Sequence, residues 1–428
     1  MVIEKTVGEI AADVKLNKKV VLKHLHSGAL PYEEYKNSKY SIIEEKYFQW
    51  KNNIPDLADV QAKSIFSNAD EINNNNIDLI KENDLKLSIE EFINFKKIDA
   101  KSDLTFADMF CGCGGLSLGF VQAGFRPIEC VDIFFDALST YHHNIISMNK
   151  FAGFDNIEIS DITQKEVKER IIAKLKKENV KVICGGFPCQ GFSMSGTGVA
   201  TDPRNTLYLD MLEIVKETKP DYIVMENVVG LANMLKGRVL NKIVSDYEKI
   251  GYKISYKILN AVNYGVAQNR KRIIFIGNRL NKQNPFPALL IKEEKEFITV
   301  RSCIERYGNE ENRDINHFFS NHSQKMKKRL REVEIGGHLY ENYHDSWRKT
   351  DPDKPSCTIK ENHGATNIHY EYDRTMSPRE LAALQSFPDD FIFIGSKLSI
   401  LKQIGNAVPP LLAKAIALSL KKELESAE

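Results

Sequence analysis

The chain has 428 residues, 42% of them hydrophobic, which is enough for more than one domain and for a sizeable core. Its formal net charge of +1 excludes a globally basic nucleic-acid-binding protein, so contact with nucleic acid must use local basic patches. No run of ~18 apolar residues is available to span a membrane, and the first residues do not resemble a signal peptide. These properties predict a cytoplasmic protein with no membrane partner.

The seven cysteines give no sign of a disulfide framework or of a structural metal site. Their number is odd, and no two of them have the paired CxxC spacing of zinc ligands. We therefore predict no metal, and we expect Cys130 and Cys184 to be buried, inert thiols. The seven are Cys111, Cys113, Cys130, Cys184, Cys189, Cys303 and Cys357.

Residues 1–51 are predicted to form a winged, excisionase-like helix-turn-helix domain. Apolar residues recur at helical spacing in two short runs, 6–14 and 20–25, and the pattern at 40–43 favours a strand of a small wing. The alternative is a small helical hairpin that packs on the main domain. Residues 52–100 are predicted to be a linker that is only partly helical.

From Leu104 onward, strand patterns alternate with helical patterns, which predicts an α/β fold with a doubly wound, mostly parallel sheet. This alternation ends after Gly277, and residues 278–375 are polar and irregular. Helical periodicity returns at 377–387 and at 410–420. The predicted strands are 105–110, 127–132, 157–159, 182–184, 222–225, 253–259 and 272–276.

The segment 108–119 has the pattern of a strand, a glycine turn and a helix start, which lets backbone pass close to a ligand. Asp132, 20 residues after Gly112, ends the next predicted strand, where an acidic side chain binds ribose hydroxyls. Asp161, after the third predicted strand, is a candidate partner for an adenine amino group. An adenosine-containing ligand is thus predicted. NAD and S-adenosylmethionine both stay open, although the GxGxxG order of NAD sites is absent. The alternative role for both aspartates is to cap a helix.

Cys189 is a candidate nucleophile, because Pro188-Cys189-Gln190 directly follows a buried strand and a glycine turn. In open α/β sheets, the carboxyl ends of strands present the reactive groups. A second predicted strand ends at Glu226, which places a carboxyl group at the same edge. A thiol and a carboxyl group suit covalent chemistry on an electron-poor ring. The alternatives are a buried thiol and a strand-end cap.

These segments and several later motifs resemble the C5-cytosine DNA methyltransferase family, in the family's order, over residues 104–420. The matching motifs are Phe110-Cys-Gly-Cys-Gly-Gly, Asp132, Asp161-Ile162, Gly186-Phe187-Pro188-Cys189-Gln190, Arg204-Asn205-Thr206-Leu207, Glu226-Asn227-Val228, Gln268-Asn269-Arg270-Lys271-Arg272, Arg379-Glu380 with Leu384-Gln385-Ser386-Phe387-Pro388, and Gln403-Ile404-Gly405-Asn406-Ala407-Val408-Pro409-Pro410. The resemblance implies a class I, Rossmann-like methyltransferase that uses S-adenosyl-L-methionine and releases S-adenosyl-L-homocysteine. It also implies a catalytic domain over 101–299, a target-recognition region over 300–375, and a C-terminal part, 376–428, that returns to the catalytic domain.

The resemblance also assigns roles to single residues. Cys189 attacks C6 of a cytosine, and Glu226 holds a proton at N3. Arg270 contacts the base O2, and Arg272 supports the catalytic groups. The target base is extruded from the duplex, and the glycine- and serine-rich segment 191–198 is expected to close over it. The residues expected at the cofactor are Phe110, Gly112, Gly114, Gly115, Leu116, Asp132, Ile133, Asp161, Ile162, Pro188, Leu207, Asn406 and Val408.

Basic and amide side chains hold phosphates and read base edges, so a group of them is expected to contact double-stranded DNA. The leading hypothesis is a DNA cytosine-5 methyltransferase of a bacterial or archaeal restriction–modification or defence system, with a cognate endonuclease or defence proteins as partners. Catalysis is expected from a monomer, and a dimer through the N-terminal domain is compatible with the sequence. The alternatives are a tRNA cytosine-5 methyltransferase and a DNA-binding regulator with a vestigial catalytic domain. The expected DNA contacts are Gln190, Ser193, Lys325, Arg329, Arg348 and Lys360.

Overall fold

The chain forms two compact units. The first comprises Met1–Asn73, Pro188–Tyr208 and Gly230–Ser245. The second comprises Asn74–Phe187, Leu209–Val229 and Asp246–Glu428. The computed structural model describes residues 2–6, 9, 34–36, 39–43, 79–95, 102–149, 151, 159–188, 207–340, 347–361 and 367–426.

Strands and helices follow one another over most of the described residues. Strands β1 to β13 are Val2–Lys5, Glu34–Lys36, Lys39–Ile43, Ile80–Asn83, Thr105–Met109, Arg126–Val131, Val182–Gly185, Tyr222–Val228, Lys253–Asn260, Lys271–Asn278, Asn284–Pro287, Arg348–Lys349 and Asn367–Ile368. Helices α1 to α11 are Ile89–Ile93, Gly115–Gln122, Phe135–Tyr141, Lys165–Lys177, Leu207–Thr218, Arg238–Lys249, Val300–Ile304, Gln324–Glu332, Pro378–Leu384, Lys397–Asn406 and Pro410–Glu425. A π-helical turn, His142–Ser147, extends α3.

Six strands form the central sheet of the second unit, in the order β6-β5-β7-β8-β10-β9. Strands β6, β5, β7 and β8 run parallel, whereas β10 is antiparallel to both β8 and β9. Strands β5 and β7 are buried along their whole length, as expected for parallel strands covered on both faces. The predicted mostly parallel sheet is confirmed, with an antiparallel pair at one end. The strand predicted at 157–159 lies largely outside the described residues, and Ile159 is not in a strand.

The last helix, α11, packs directly on α2, the helix that follows the glycine turn. A side chain at Gly119 would prevent this approach, because its Cβ would lie 2.4 Å from the backbone nitrogen of Lys414. The buried side chains Phe106, Phe120 and Leu412 belong to one apolar core. The end of the chain therefore completes the core that holds β5 and the glycine turn in place.

The segment 79–95 belongs to the core of the second unit, which corrects the prediction of a linker over 52–100. Strand β4 pairs in parallel with β11, and Phe92 is fully buried. The ammonium group of Lys414 donates hydrogen bonds to the backbone oxygens of Phe92 (2.5 Å) and Asn94 (3.0 Å). Removing this segment would take these two acceptors from a buried cation, which is costly.

The region 300–375 has a small apolar core of its own. Leu330 from α8 packs with Val333 and Ile368, and Trp347 covers the cluster. Short helices and strands of two residues surround it, in place of the regular sheet found earlier in the chain. The irregular texture predicted for this region is confirmed.

A buried ion pair joins the end of this region to α9. Both terminal nitrogens of Arg374 donate to the carboxylate of Glu380, each over 2.8 Å. Arg374 is 5% exposed and Glu380 fully buried. The same carboxylate accepts the backbone N–H of Ser377 (2.7 Å) and so caps α9. One charge pair thus fixes both the start of α9 and the chain that leads into it.

The predicted helix-turn-helix lies mostly outside the described residues, including its second helical run and all of the first run except Thr6 and Glu9. Strands β1, β3 and β2 form an antiparallel sheet in that order. Strand β3, Lys39–Ile43, contains the strand predicted at 40–43. Among the described residues, no helix has both the length and the apolar character needed to cross a membrane.

Candidate active site

The glycine turn after β5 has the backbone geometry of a ligand-binding turn. Phe110, Gly112 and Gly114 have positive φ angles of 65°, 53° and 93°. Glycine adopts such angles without strain, whereas phenylalanine rarely does. A Cβ at Gly112 would meet no atom within 4 Å, so the turn faces open space there. A Cβ at Gly114 would lie 2.5 Å from Ile145, so the opposite side of the turn is closely packed.

Asp108 supports this turn from within the core. The Ser117 hydroxyl donates to Asp108 Oδ2 (2.5 Å), and the Tyr141 hydroxyl donates to Ser117 Oγ (3.0 Å). Burial raises the pKa of Asp108 to about 7. The three buried groups fix β5 relative to α2 and α3, and so they hold the turn between β5 and α2.

Asp132 lies at the end of β6, where the ribose-binding carboxylate was predicted. Its oxygens accept the backbone N–H groups of Gly112 (2.8 Å) and Phe134 (2.9 Å). A carboxylate has about four acceptor positions, so these bonds leave room for a hydroxyl group. Ile133 beside it is 68% exposed and offers an apolar surface to a ring.

Asp161 lies at the same edge of the sheet. The residue before it, Ser160, donates its backbone N–H to the backbone oxygen of Asp132 (3.0 Å). Its Oδ1 accepts the backbone N–H (3.0 Å) and the hydroxyl (2.8 Å) of Thr163, and these bonds lower the pKa of Asp161. This turn precedes α4, whose N-cap is Gln164, so the side chain of Asp161 stabilises the turn and does not cap the helix. Ile162 is only 3% exposed, so its side chain packs beneath the edge.

The stretch 406–408, at the end of α10, packs against the start of α2 at this edge of the sheet. A Cβ at Gly115 would lie 2.3 Å from the backbone oxygen of Val408, so the two backbones are in direct contact. Asn406 is exposed and Val408 buried, and Leu116 is buried below them. The open space at Gly112, the carboxylate of Asp132 and the exposed Ile133 fit an adenosine-containing ligand. Pro188 and Leu207 belong to the first unit.

Replacing Gly115 with alanine is expected to raise the dissociation constant for S-adenosylhomocysteine about 10- to 100-fold, because the new Cβ displaces 406–408 or the turn by roughly 1 Å. Isothermal titration calorimetry measures this. Gly119→Ala is the matched control, because it strains the same helix, α2, against α11. Gly119 lies one helical turn further along α2 from the glycine turn. Equal losses of affinity in the two variants would contradict the assignment of this edge.

Glu226 and Arg272 form an ion pair at the adjacent strand end. Arg272 Nε donates to Glu226 Oε1 over 2.8 Å, with both side chains 11% exposed. In the antiparallel register, Arg272 faces Val228 and Ile274 faces Glu226, so the two charged residues are diagonal neighbours on one face. The guanidinium therefore orients the carboxylate and leaves Glu226 Oε2 for another partner.

Strand β7 brings the chain that leads to Cys189 up to this carboxylate. A Cβ at Gly186 would lie 3.0 Å from Glu226 Oε2, and Asn227 Nδ2 donates to the backbone oxygen of Phe187 (3.0 Å). Sequence reasoning gave no role to Gly186 or Asn227. The pair of glycines after a buried strand was the available signal for such a close approach. Cys189, Gln190 and Ser193 lie outside the described residues.

Arg270 differs from the role expected for it. It precedes β10 and is only 1% exposed. Its guanidinium donates to the backbone oxygens of Ile359 (2.8 Å), Gly405 (2.8 Å) and Ala407 (3.0 Å). Because both terminal nitrogens donate to backbone carbonyls, Arg270 is a structural cation in this geometry, and Arg272 is the arginine beside Glu226.

The remaining DNA candidates lie in the region 300–375. Lys325 and Arg348 are exposed, whereas Arg329 and Lys360 are partly buried. Arg329 lies over the ring of Tyr340 at 4.9 Å, and Arg348 Nε donates to the backbone oxygen of Gly336 (3.1 Å). Of the two cysteines predicted to be buried and inert, Cys184 is fully buried, and burial raises its pKa well above the usual value. Cys130 is only partly buried, which corrects the prediction for it.

The fold and the site define a methyltransferase, and comparison with known proteins specifies which kind. The family model for C-5 cytosine-specific DNA methylase matches residues 104–422. The Type II methyltransferase M1.HphI of Haemophilus parahaemolyticus is 37% identical over 342 residues, covering 74% of this chain and 87% of that protein. M.DdeI of Desulfomicrobium norvegicum is 34% identical over 376 residues, covering 73% and 88%. A solved structure from an E. coli prophage, assigned as a DNA modification methyltransferase, has a TM-score of 0.60 at 25% identity and covers 75% of this chain and 99% of that one.

The chain therefore belongs to the C-5 cytosine-specific DNA methylase family. It is an enzyme of that class, a DNA cytosine-5 methyltransferase. The match begins at the first strand of the central sheet and ends within α11.

Proposed function

We propose that this enzyme methylates C5 of a cytosine extruded from a specific site in duplex DNA, with Cys189 as nucleophile. The observation that carries the proposal is the Glu226–Arg272 pair, held beside Gly186 at the strand end from which the chain runs on to Cys189. Buried duplex bases cannot reach such an edge unless they leave the stack.

The proposed reaction begins with a bond between the Cys189 thiolate and C6 of the cytosine. The electron pair of the C5–C6 double bond moves toward C5, which becomes nucleophilic and accepts a methyl group. Loss of the C5 proton to water and breakage of the S–C6 bond restore the aromatic ring and free the thiolate. A nearby guanidinium favours the thiolate form, and Arg272 lies at the adjacent strand end.

Glu226 would hold a proton at N3, which neutralises the charge that builds on the ring when C6 is attacked. Arg272 would keep the Glu226 carboxylate in place through Nε, and its Nη1 donates to the backbone oxygen of Lys271 (2.8 Å). This assigns the base-side arginine to Arg272 in place of Arg270.

The cofactor proposed for the reaction is S-adenosylmethionine, which supplies an electrophilic methyl group when bound. Asp132 would accept ribose hydroxyls, and Ile133 and Phe110 would pack on the adenine. The turn 112–115 and Asn406 would surround the methionine part. Pro188, Leu207 and Asp161 are kept as proposed contacts.

The test is transfer of labelled methyl groups to duplex DNA and, separately, to tRNA. We expect label in DNA alone. Label in tRNA would favour the RNA methyltransferase alternative, and label in neither would favour a regulator with a vestigial catalytic domain.

We further propose that the enzyme serves a restriction–modification or defence system, as the Type II methyltransferases among its relatives suggest. The helix-turn-helix pattern in residues 1–51 would then repress its own promoter or extend contact with DNA. Deletion of these residues tests this, because unchanged repression and unchanged DNA affinity would rule out both roles.

A further inference from the structure

The cation of Arg270 is buried where three parts of the second unit meet. One part is the chain before β10, which carries Arg270 itself. Another is the segment 356–361, at the end of which lies Lys360, a proposed DNA contact. The third is the last turn of α10, which leads into the cofactor edge at 406–408.

The last turn of α10 provides the electrostatic reason for a buried cation there. The final carbonyl groups of a helix have no intrahelical donor and carry partial negative charge. Arg270 donates to two of these oxygens, those of Gly405 and Ala407. Burial lowers the pKa of Arg270, while the nearby Glu226 carboxylate opposes this effect.

The segment 356–361 is bound from the same side through both backbone polar groups of one residue, Ile359. The backbone oxygen of Ile359 accepts from Arg270 (2.8 Å), and its backbone N–H donates to Gln268 Oε1 (2.9 Å). Gln268 Nε2 donates to Gln385 Oε1 (3.1 Å), and Gln385 Nε2 donates to the backbone oxygen of Ile404 (2.8 Å). A second route of hydrogen bonds therefore runs from Ile359 to α10, parallel to that of Arg270.

The two backbones joined in this way are also in direct contact. A Cβ at Gly405 would lie 2.5 Å from the backbone nitrogen of Glu361 and from the carbonyl carbon of Lys360. Three residues after Gly405, the backbone oxygen of Val408 contacts Gly115 of the glycine turn. A continuous path of backbone contacts thus links Lys360 to the cofactor turn, and Arg270 is bonded to both halves of it.

We propose that Arg270 is a positioning residue shared by the cofactor edge and by the DNA-facing segment 356–361, so that its loss weakens binding of both ligands together. The proposal rests on the proposed function for the identity of the two ligands. It gives Arg270 a task distinct from that of Arg272, which acts at the base through Glu226.

The test compares Arg270→Lys with Arg379→Lys in the full chain. Arg379 is an equally buried arginine whose guanidinium also donates to backbone oxygens, those of Asp389 and Phe391, away from this path. Calorimetry gives the dissociation constant for S-adenosylhomocysteine, and gel-shift titration gives that for a plasmid fragment. We expect Arg270→Lys to raise both constants about tenfold, the effect of losing one hydrogen bond of about 1.4 kcal/mol, and Arg379→Lys to change neither.

The proposal is overturned if Arg270→Lys changes only one constant, or neither, or if Arg379→Lys changes both to the same extent. If Arg270→Lys does not fold, Gln268→Met removes the parallel route, and the same criteria apply to it. Binding of S-adenosylhomocysteine needs no turnover. A wild-type protein that binds it but methylates no DNA would sink the proposed function and still test the role of Arg270 at the cofactor edge.

Discussion

Replacing Glu226 with glutamine is expected to lower kcat for methyl transfer to DNA by about 10²- to 10⁴-fold, the usual contribution of a group that manages a proton in the transition state. Glutamine keeps the shape of the side chain and its bond from Arg272 Nε, so the fold should persist. It cannot hold a titratable proton at N3 of the base. Single-turnover rates with labelled cofactor measure the effect.

The matched control is Glu166→Gln, which removes the same charge from an exposed position in the first turn of α4. It should leave kcat unchanged, and both variants should bind S-adenosylhomocysteine as the wild type does. A Glu226→Gln enzyme with a kcat within about threefold of wild type would exclude the role given to this carboxylate.

Replacing Arg374 with methionine is expected to lower the free energy of unfolding by about 3–5 kcal/mol, because it leaves the fully buried Glu380 without its partner. Denaturant titration of the full chain measures the change. The region 300–375 should loosen first, since this ion pair fixes the chain that leads from it into α9.

Two further variants separate this effect from a general loss of charge. Arg331→Met makes the same substitution in an exposed ion pair, that of Arg331 with Asp373. It should cause no measurable change in the free energy of unfolding. Adding Glu380→Gln to Arg374→Met should restore part of the stability, because no uncompensated charge then remains buried. A double variant less stable than Arg374→Met alone would mean that the pair is not the cause.

Much of the catalytic core is predictable from the sequence, because its information is local. A buried strand shows as a short apolar run, and the polar residue that ends it marks the carboxyl edge of the sheet. Asp132 and Glu226 were placed at strand ends by this rule. Asp132 directly follows β6, and Glu226 lies two residues before the end of β8. The mostly parallel sheet needed only the alternation of strands and helices.

The places where sequence reasoning failed depend on long-range packing. Strand β4 is stabilised by β11, about 200 residues away, so 79–95 resembled a linker. The resemblance gave the base contact to Arg270, and side chains two apart on a strand share a face. The strand begins only at Lys271, and the backbone before it turns Arg270 toward α10. Neither fact is visible in local periodicity.

The most direct test of the central claim is the chemical position of the transferred methyl group. Duplex DNA is incubated with the enzyme and labelled S-adenosylmethionine, digested to nucleosides and separated against methylated standards, with Cys189→Ala in parallel. We predict label in 5-methyldeoxycytidine alone, and none with Cys189→Ala. Label in N4-methyldeoxycytidine, or label that persists without the Cys189 thiol, would contradict attack on C6 by this cysteine.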